Sequence, residues 1–319
     1  MNDWGLKTRW YKIRWYIRKN PLVKFVVYMG PNMFFAMFPP KLPKISTTAF
    51  MPHGRVALCL RFRNEAPFLE EWIEYHLAAG VDHFFLYNNF SSDNYKQVLC
   101  PYVERGRVTL IDWPYKPASP AAENDCIART RGRFDWVGFL DADEFVVIRD
   151  GRSIPEFLAG FTDVPAVALF WYIYGSSGHK ARPRDWVINA YKRRSARLNV
   201  HFKVFVRPDQ VTRNKNSHNF YYRGARCAVQ EDGKKVFGSL SLVPTARNAW
   251  INHYYYKSLE DYMEKANSPS ALDRMGIKNP TRRKELSQQA MREANEIVDD
   301  CACKYYKSRK SNIAIDQPD

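Results

Sequence analysis

The chain has no clean run of about 20 apolar residues, the length a membrane-crossing helix needs. Its first apolar stretch, residues 22–38, is broken by Lys24, Gly30, Pro31 and Asn32. The N-terminus does not read as a secretory signal either. Cysteines are few and scattered: Cys59, Cys100, Cys126, Cys227, Cys301 and Cys303, with only the last two close together. That spacing spells neither a zinc site nor a disulfide scaffold, and free thiols in a reducing cytosolic compartment fit it better. No internal repeat, low-complexity segment or recognisable RNA- or DNA-binding motif is visible. Acidic side chains are under-represented, with 33 Asp and Glu against 49 Lys and Arg and a formal net charge of +16.

What is present suffices for a large core. The chain has 319 residues, 45% of them hydrophobic and 15% aromatic, which suits one large domain with appendages. The positive charge is concentrated at the start, where residues 1–50 hold nine Lys or Arg and one Asp. Trp4, Trp10, Tyr11, Trp15 and Tyr16 interleave with those cations. Residues 1–54 therefore read as a basic aromatic arm, closed by Pro39, Pro40 and Pro43. Two readings of the arm stand side by side. Residues 1–40 could lie on an anionic membrane surface, at the inner face of the cell membrane, or the arm could be a solvated segment packed on the body.

From Arg55 the chain alternates strand-like and helix-like runs. Strands are expected at 56–62, 81–87, 108–113 and 136–141, and helices at 65–80 and 121–133. This alternation predicts an α/β fold with a Rossmann-like, mostly parallel sheet flanked by helices. The second half is more β-rich, with strands expected at 167–174, at 203–207 and in two runs between 220 and 242. Helices are expected at 258–267 and 281–303. The body thus divides into a first half at 55–150, a second at 151–270 and C-terminal helices at 271–319.

The strand expected at 136–141 runs into Asp141-Ala142-Asp143-Glu144, and another apolar run, Phe145 to Ile148, follows. In open α/β sheets ligands bind beyond the carboxyl ends of strands. Two carboxylates two residues apart at such an end can reach one hard cation and leave positions open for phosphate oxygens. The cation then offsets charge on a leaving nucleotide. An acidic turn alone is weak evidence, and its apolar flanks strengthen it here.

Several stretches, in order, resemble glycosyltransferase family 92 and its bacterial relatives in the family 2-like group. Residues 63–76 (RNEAPFLEEWIEYH) and 80–84 (GVDHF) look like the family's opening, as do residues 87–93 (YNNFSSD). Residues 122–126 (AENDC) resemble the helix before the acidic motif, and 141–145 (DADEF) the metal motif itself. Residues 174–179 (YGSSGH), 203–208 (KVFVRP) and 252–258 (NHYYYKS) also have family counterparts. The resemblance spans about residues 55–267. It implies a GT-A fold over 55–319, a nucleotide-sugar donor held by 55–150 and an acceptor held by 151–270. It also implies Mn²⁺ or Mg²⁺, inversion at the anomeric carbon, and a glycan or lipid-linked acceptor, as in polysaccharide or lipopolysaccharide synthesis. UDP-galactose is the first donor to test, because the family includes galactosyltransferases.

The resemblance also assigns residues. Asp143 is the metal ligand, Asp141 shares the metal or faces the ribose, and His253 is the third ligand, its neutral imidazole suiting Mn²⁺. Lys257 could offset the diphosphate charge; taken without the resemblance, Lys257 also reads as a solvated lysine at a helix start and His253 as a core histidine among tyrosines. Arg61, Asn64 and Glu65 stand where the first strand turns into a helix. Asn89 and Asp93 follow the second strand and could contact the base, although Asn88 stands where the family more often has Asp. Asn124 and Asp125 frame the donor or cap their own helix. An inverting transfer also needs a base for the acceptor hydroxyl, which the resemblance does not assign; Asp185, His218, Glu231 and Asp232 are the candidates, with Asp185 chosen because it follows the glycine turn most closely, its alternative being a surface acid beside Arg182 and Arg184. Trp171, Tyr172, Tyr174 and Trp186 could stack on acceptor sugars or belong to the core.

Two other function classes compete. A nucleic-acid-binding protein would explain the charge, but the cations cluster in an arm, so no nucleic-acid partner is expected. A metal-dependent phosphotransferase or hydrolase would share the acidic motif.

Overall fold

The structure, a computed structural model, describes residues 54–115, 120–266, 289 and 291–315. The N-terminal arm, and with it the expectation that residues 1–40 lie on a membrane surface, falls outside them. Among the described residues no helix is long and apolar enough to cross a membrane.

The element order is β1 (Val56–Phe62), α1 (Ala66–Ala78), β2 (His83–Asn88), α2 (Tyr95–Glu104), β3 (Val108–Asp112), α3 (Ala121–Thr130) and β4 (Trp136–Phe139). Next come β5 (Glu144–Ile148), α4 (Ile154–Ala159), β6 (Ala166–Ile173), α5 (Val187–Ala190), β7 (Arg193–Arg194) and β8 (Phe202–Val206). The chain continues through β9 (Val211–Asn216), β10 (Asn219–Tyr222), β11 (Val229–Gln230), β12 (Ala249–His253), α6 (Leu259–Ala266), β13 (Ile297–Val298) and α7 (Cys301–Ile315).

The main sheet runs β3-β2-β1-β4-β8-β6-β12-β5, with β11 beside β6. Strands β1 to β4 are mutually parallel where they pair, and β6 is parallel to β12. Strand β8 runs antiparallel to β4 and β6, and β5 antiparallel to β12. The expected α/β architecture with a mostly parallel sheet is what forms. Its physical basis shows in β1, buried at every position except Arg61. Val56, Leu58, Leu60 and Phe62 join one core with Leu69, Trp72 and Ile73 of α1. Ala57 and Cys59 join a second core with Ala122, Cys126 and Ile127 of α3. Alternate residues point to opposite faces, so helices on both sides are needed to cover them.

Two contacts fix strands against their neighbours. Trp72 Nε1 donates to the Glu144 carbonyl at 3.1 Å and Tyr75 Oη to the Val146 carbonyl at 2.8 Å, so α1 grips β5 by buried polar tips. At Gly138 in β4, an added Cβ would lie 2.5 Å from the Phe205 ring and 2.6 Å from Leu58. No larger residue fits there without shifting the Phe205 or Leu58 side chain.

The structure corrects some boundaries and adds elements. The helix expected at 281–303 is interrupted: Ile297–Val298 pairs with Arg193–Arg194 as a strand, and the last helix starts at Cys301. The polar flank of that segment, Asp299 and Asp300, caps α7 instead of continuing a helix, with Asp299 Oδ1 accepting from the Cys301 amide at 2.9 Å. Helix α3 stops at Thr130, where Thr130 Oγ1 bonds back to the Cys126 carbonyl. Of the two strands expected between 220 and 242, only Asn219–Tyr222 and the two-residue Val229–Gln230 form. All six cysteines are free thiols.

Candidate active site

The carboxyl ends of β1, β2, β4, β6 and β12 meet at one edge. Phe62 is level with Asn88, Cys59 with Phe139, and His253 with both Ile173 and Glu144. The Asp141–Glu144 turn closes on itself, the Asp141 amide donating to Glu144 Oε2 at 2.9 Å. This presents Asp143 to His253, whose Nε2 lies 3.3 Å from Asp143 Oδ1. The Tyr254 amide donates to the Asp143 carbonyl at 2.8 Å and holds the two segments together. Trp171 packs its ring edge-on to His253 at 4.6 Å between centroids, fixing the imidazole plane.

Two lysines that the sequence reading missed complete the charge balance. Lys265 of α6 places Nζ 2.8 Å from Asp143 Oδ2. Lys203 of β8, buried, places Nζ 2.8 Å from Asp141 Oδ2 and 3.5 Å from Glu144 Oε2. Burial alone would raise the Asp143 carboxyl, but the Lys265 ammonium and then His253 outweigh it and hold Asp143 well below the carboxylate range. Burial pushes Glu144 well above that range, against the pull of Lys203. Lys203 keeps its charge although burial opposes it, because Asp141 and Glu144 face it. Its one signal in the sequence is a lysine inside the apolar strand FKVFV. Lys265 left no signal that distinguishes it from a solvated lysine.

The donor types suit a divalent cation. Asp143 and His253 offer one carboxylate oxygen and one imidazole nitrogen to a common point. His253 Nδ1 and Glu144 Oε1 are both buried without a hydrogen-bond partner and lie 3.9 Å apart. A ligating histidine needs such an outer carboxylate to orient its other nitrogen. Asp141 is turned toward Lys203, so it fits the set less directly. Among the described residues no three His, Cys, Asp or Glu side chains form a complete cage. Phosphate oxygens and water would complete the coordination.

The remaining candidates fall into three groups. Lys257 is buried, adopts φ 49°, lies 3.9 Å from Glu65 Oε2 and covers the Phe68 ring at 3.5 Å. Glu65 and Lys257 thus share the site edge, whereas Arg61 is exposed on β1. A second group ties loops and neighbouring elements together. Asn64, at φ 56°, accepts the Ser92 amide at 2.8 Å, and Asp93 Oδ2 accepts the Ala66 amide at 2.8 Å, capping α1 from across the edge. Asn89 donates to the Trp113 and Tyr115 carbonyls, and Asn88 is spent on Tyr95 and Asp112. Asn124 accepts the Asn214 amide at 2.8 Å, and Asp125 binds Tyr87 Oη and Arg129.

The third group holds the base candidates. Asp185 Oδ1 accepts the Trp186 amide at 2.7 Å and Asn189 Nδ2 at 3.0 Å. Glu231 accepts from Thr245 and the amides of Arg247 and Asn248 at the far end of β12, away from the site. Asp232 pairs with Lys234. His218 donates Nδ1–H to the Phe202 carbonyl at 2.8 Å and packs on Trp171.

Residues 55–293 match the profile of glycosyltransferase family 92. A glycosyltransferase family 92 protein of Oryza sativa subsp. japonica is 29% identical over 233 residues, covering 71% of this chain and 38% of the relative. The galactan beta-1,4-galactosyltransferase GALS3 of Arabidopsis thaliana is 25% identical over 210 residues, covering 55% of this chain and 42% of that protein. The chain therefore spans about two-fifths of the length of these relatives. The structure of S. aureus TarS 1-349 in complex with UDP superposes with a TM-score of 0.34 at 12% identity, covering 49% of this chain and 47% of that one. With the profile matched over well more than half its length, this chain belongs to glycosyltransferase family 92.

Proposed function

We propose that the chain is a metal-dependent, inverting hexosyltransferase. It moves a sugar from a UDP-hexose, UDP-galactose being the first to test, to a glycan or lipid-linked acceptor. The observation that carries this reading is the convergence of Asp143 and His253 at the edge where β4, β6 and β12 end. Family membership and the galactosyltransferase relative support the reaction class and the donor. Attachment of residues 1–40 to an anionic membrane surface belongs to the same reading.

In this reading Asp143 and His253 would hold Mn²⁺ or Mg²⁺, which when bound would supply positive charge toward the diphosphate of the donor. Glu144 orients His253 through Nδ1. Lys257 and Lys265 add fixed positive charge beside the same point, so developing negative charge meets dipoles and ammonium groups already in place. Asp185, on the loop after the Gly175 turn, receives the proton of the acceptor hydroxyl. Asn64, Asn89, Asp93, Asn124 and Asp125 hold the loops that frame the nucleotide, and Arg61 and Glu65 line that rim.

A thermal-shift series with UDP and UDP-hexoses, with and without Mn²⁺, tests donor class and cation together. Stabilisation is expected with UDP and Mn²⁺ jointly. Asp143→Ala is expected to abolish Mn²⁺-dependent UDP-hexose turnover with the fold retained, and full turnover in that variant would refute the metal assignment.

A further inference from the structure

Just past the end of β6 lies a cavity of about 660 Å³, lined in part by Ser176, Ser177, Arg193, Met291, Arg292 and Asn295. Its size is that of an ordinary small-molecule site. The Tyr174 amide donates to the His253 carbonyl at 2.9 Å, and Ser176 is two residues further on. The cavity wall therefore starts within about 10 Å of chain from the candidate active site.

The wall is built and held in place. Asn295 Oδ1 accepts the Ser177 amide at 2.8 Å, and Asn295 Nδ2 donates to the Met291 carbonyl at 2.7 Å. Gly175 makes room for that amide, since a Cβ there would lie 2.4 Å from Asn295 Nδ2. Both serine oxygens already accept backbone protons, Ser176 from Gly178 at 3.3 Å and Ser177 from Arg193 at 3.0 Å. Their hydroxyl protons remain to be donated. Among the described residues the Arg193 guanidinium donates to a neutral partner, the Asn295 carbonyl at 3.2 Å. Among the described residues neither Arg193 nor Arg292 meets a carboxylate, whereas neighbouring Arg182 and Arg194 pair with Asp261 and Asp299 at 2.6 and 2.5 Å. Residues 180–197 hold seven Lys or Arg and one acid, Asp185, with Arg182 and Arg194 neutralised, while the segment that carries Arg292 also holds Glu293, Glu296, Asp299 and Asp300. The polar groups left to the cavity are donors, two of them guanidinium forks suited to an oxyanion.

We infer that this cavity binds a phosphoryl or carboxylate group carried by the acceptor, so that the chain selects an anionic acceptor over a neutral glycan. The inference rests on the glycosyltransferase reading. The test is ligand-observed NMR titration of the full chain with UDP saturating, so that the nucleotide site is filled. Galactose 1-phosphate and galacturonic acid are compared with methyl galactoside. At least one charged probe is expected to bind tenfold or more tightly than the neutral one, and which of them does so identifies the group. The Arg193→Gln/Arg292→Gln double variant is expected to lose that preference while keeping its Tm and its UDP affinity. Arg292→Glu, at a side chain with no hydrogen bond among the described residues, is expected to lose it as well and serves if the double variant fails to fold. Equal affinity for charged and neutral probes, or a preference unchanged in these variants, overturns the inference. So does a loss of UDP affinity in the variants, which would place the arginines in the donor site. Failure of the wild-type chain to bind UDP counts against the glycosyltransferase reading instead, and the oxyanion preference is then still measured without nucleotide.

Discussion

Lys203 shows what a single buried charge does here. Its ammonium stands between Asp141 and Glu144, and Glu144 has no exposed surface. Replacing it by Met keeps the stem's packing but removes the ammonium that Asp141 and Glu144 face, leaving Glu144 protonated and Asp141 to solvent. Losing a hydrogen bond to a charged group in this way costs about 1.5–3 kcal/mol. Urea unfolding of Lys203→Met is expected to show that loss, and adding Glu144→Gln is expected to recover part of it. An unchanged midpoint in Lys203→Met would mean the ammonium contributes nothing net. At this scale the sequence was partly readable. Asp141 and Asp143 stood out through their apolar flanks, whereas His253 was reached only through the family resemblance. Lys203 and Lys265 meet Asp141 and Asp143 across 62 and 122 residues of chain, and no local pattern encodes such a distance.

Elements were more legible than side chains. Strand β1, helix α1 and strand β4 carry apolar periodicity strong enough to be read directly. Helix α2 escaped because it buries only Tyr95, Leu99 and Tyr102 and contains Pro101. Strand β9 escaped because its sequence, VTRNKN, is polar and pairs only with β10 in a two-stranded sheet. Strand β12, AWINH, is buried throughout but too short and mixed to show a period. A tight fit within the sheet is at Gly138, where β4 meets β1 and β8. Gly138→Ala is expected to cost about 1–3 kcal/mol through overpacking. It should lower Tm, and because β4 leads into Asp141 it should also weaken UDP affinity in the presence of Mn²⁺. A variant with unchanged Tm would show that Phe205 and Leu58 rearrange freely.

For the molecule as a whole, two buried groups on α1 set opposing pH dependences. Burial pushes the Glu71 carboxyl up to about 7, although it accepts the Val187 and Ile188 amides at 2.6 and 2.9 Å. The folded state therefore keeps a proton that the unfolded chain loses from about pH 4.5, and stability falls as pH rises from there to about 7. The loss across that window is on the order of 3 kcal/mol. Burial drives the His76 imidazole down to about 3, its Nδ1–H donating to the Trp72 carbonyl and its Nε2 left without a partner. Here the unfolded chain takes up the proton first, so stability falls as pH drops from about 6.5 toward 3. Glu71→Gln is expected to be less stable at pH 5, where an amide nitrogen meets a backbone N–H, and to lose the decline between pH 5 and 8. Chemical unfolding at both pH values checks this, and a decline as steep as in the wild type would place the titration elsewhere.

The loops after β1 and β2 are tied at several points, by Ser91 Oγ to the Asn64 amide, Asn64 Oδ1 to Ser92, Asp93 to Ala66 and the Asn89 amide to the Phe62 carbonyl. A ligand settling across these loops meets a surface whose ordering entropy was already spent during folding. Association there should be quick and nearly free of rearrangement. Selectivity among nucleotides would then come from the shape of a stiff rim, with no need for a loop that closes.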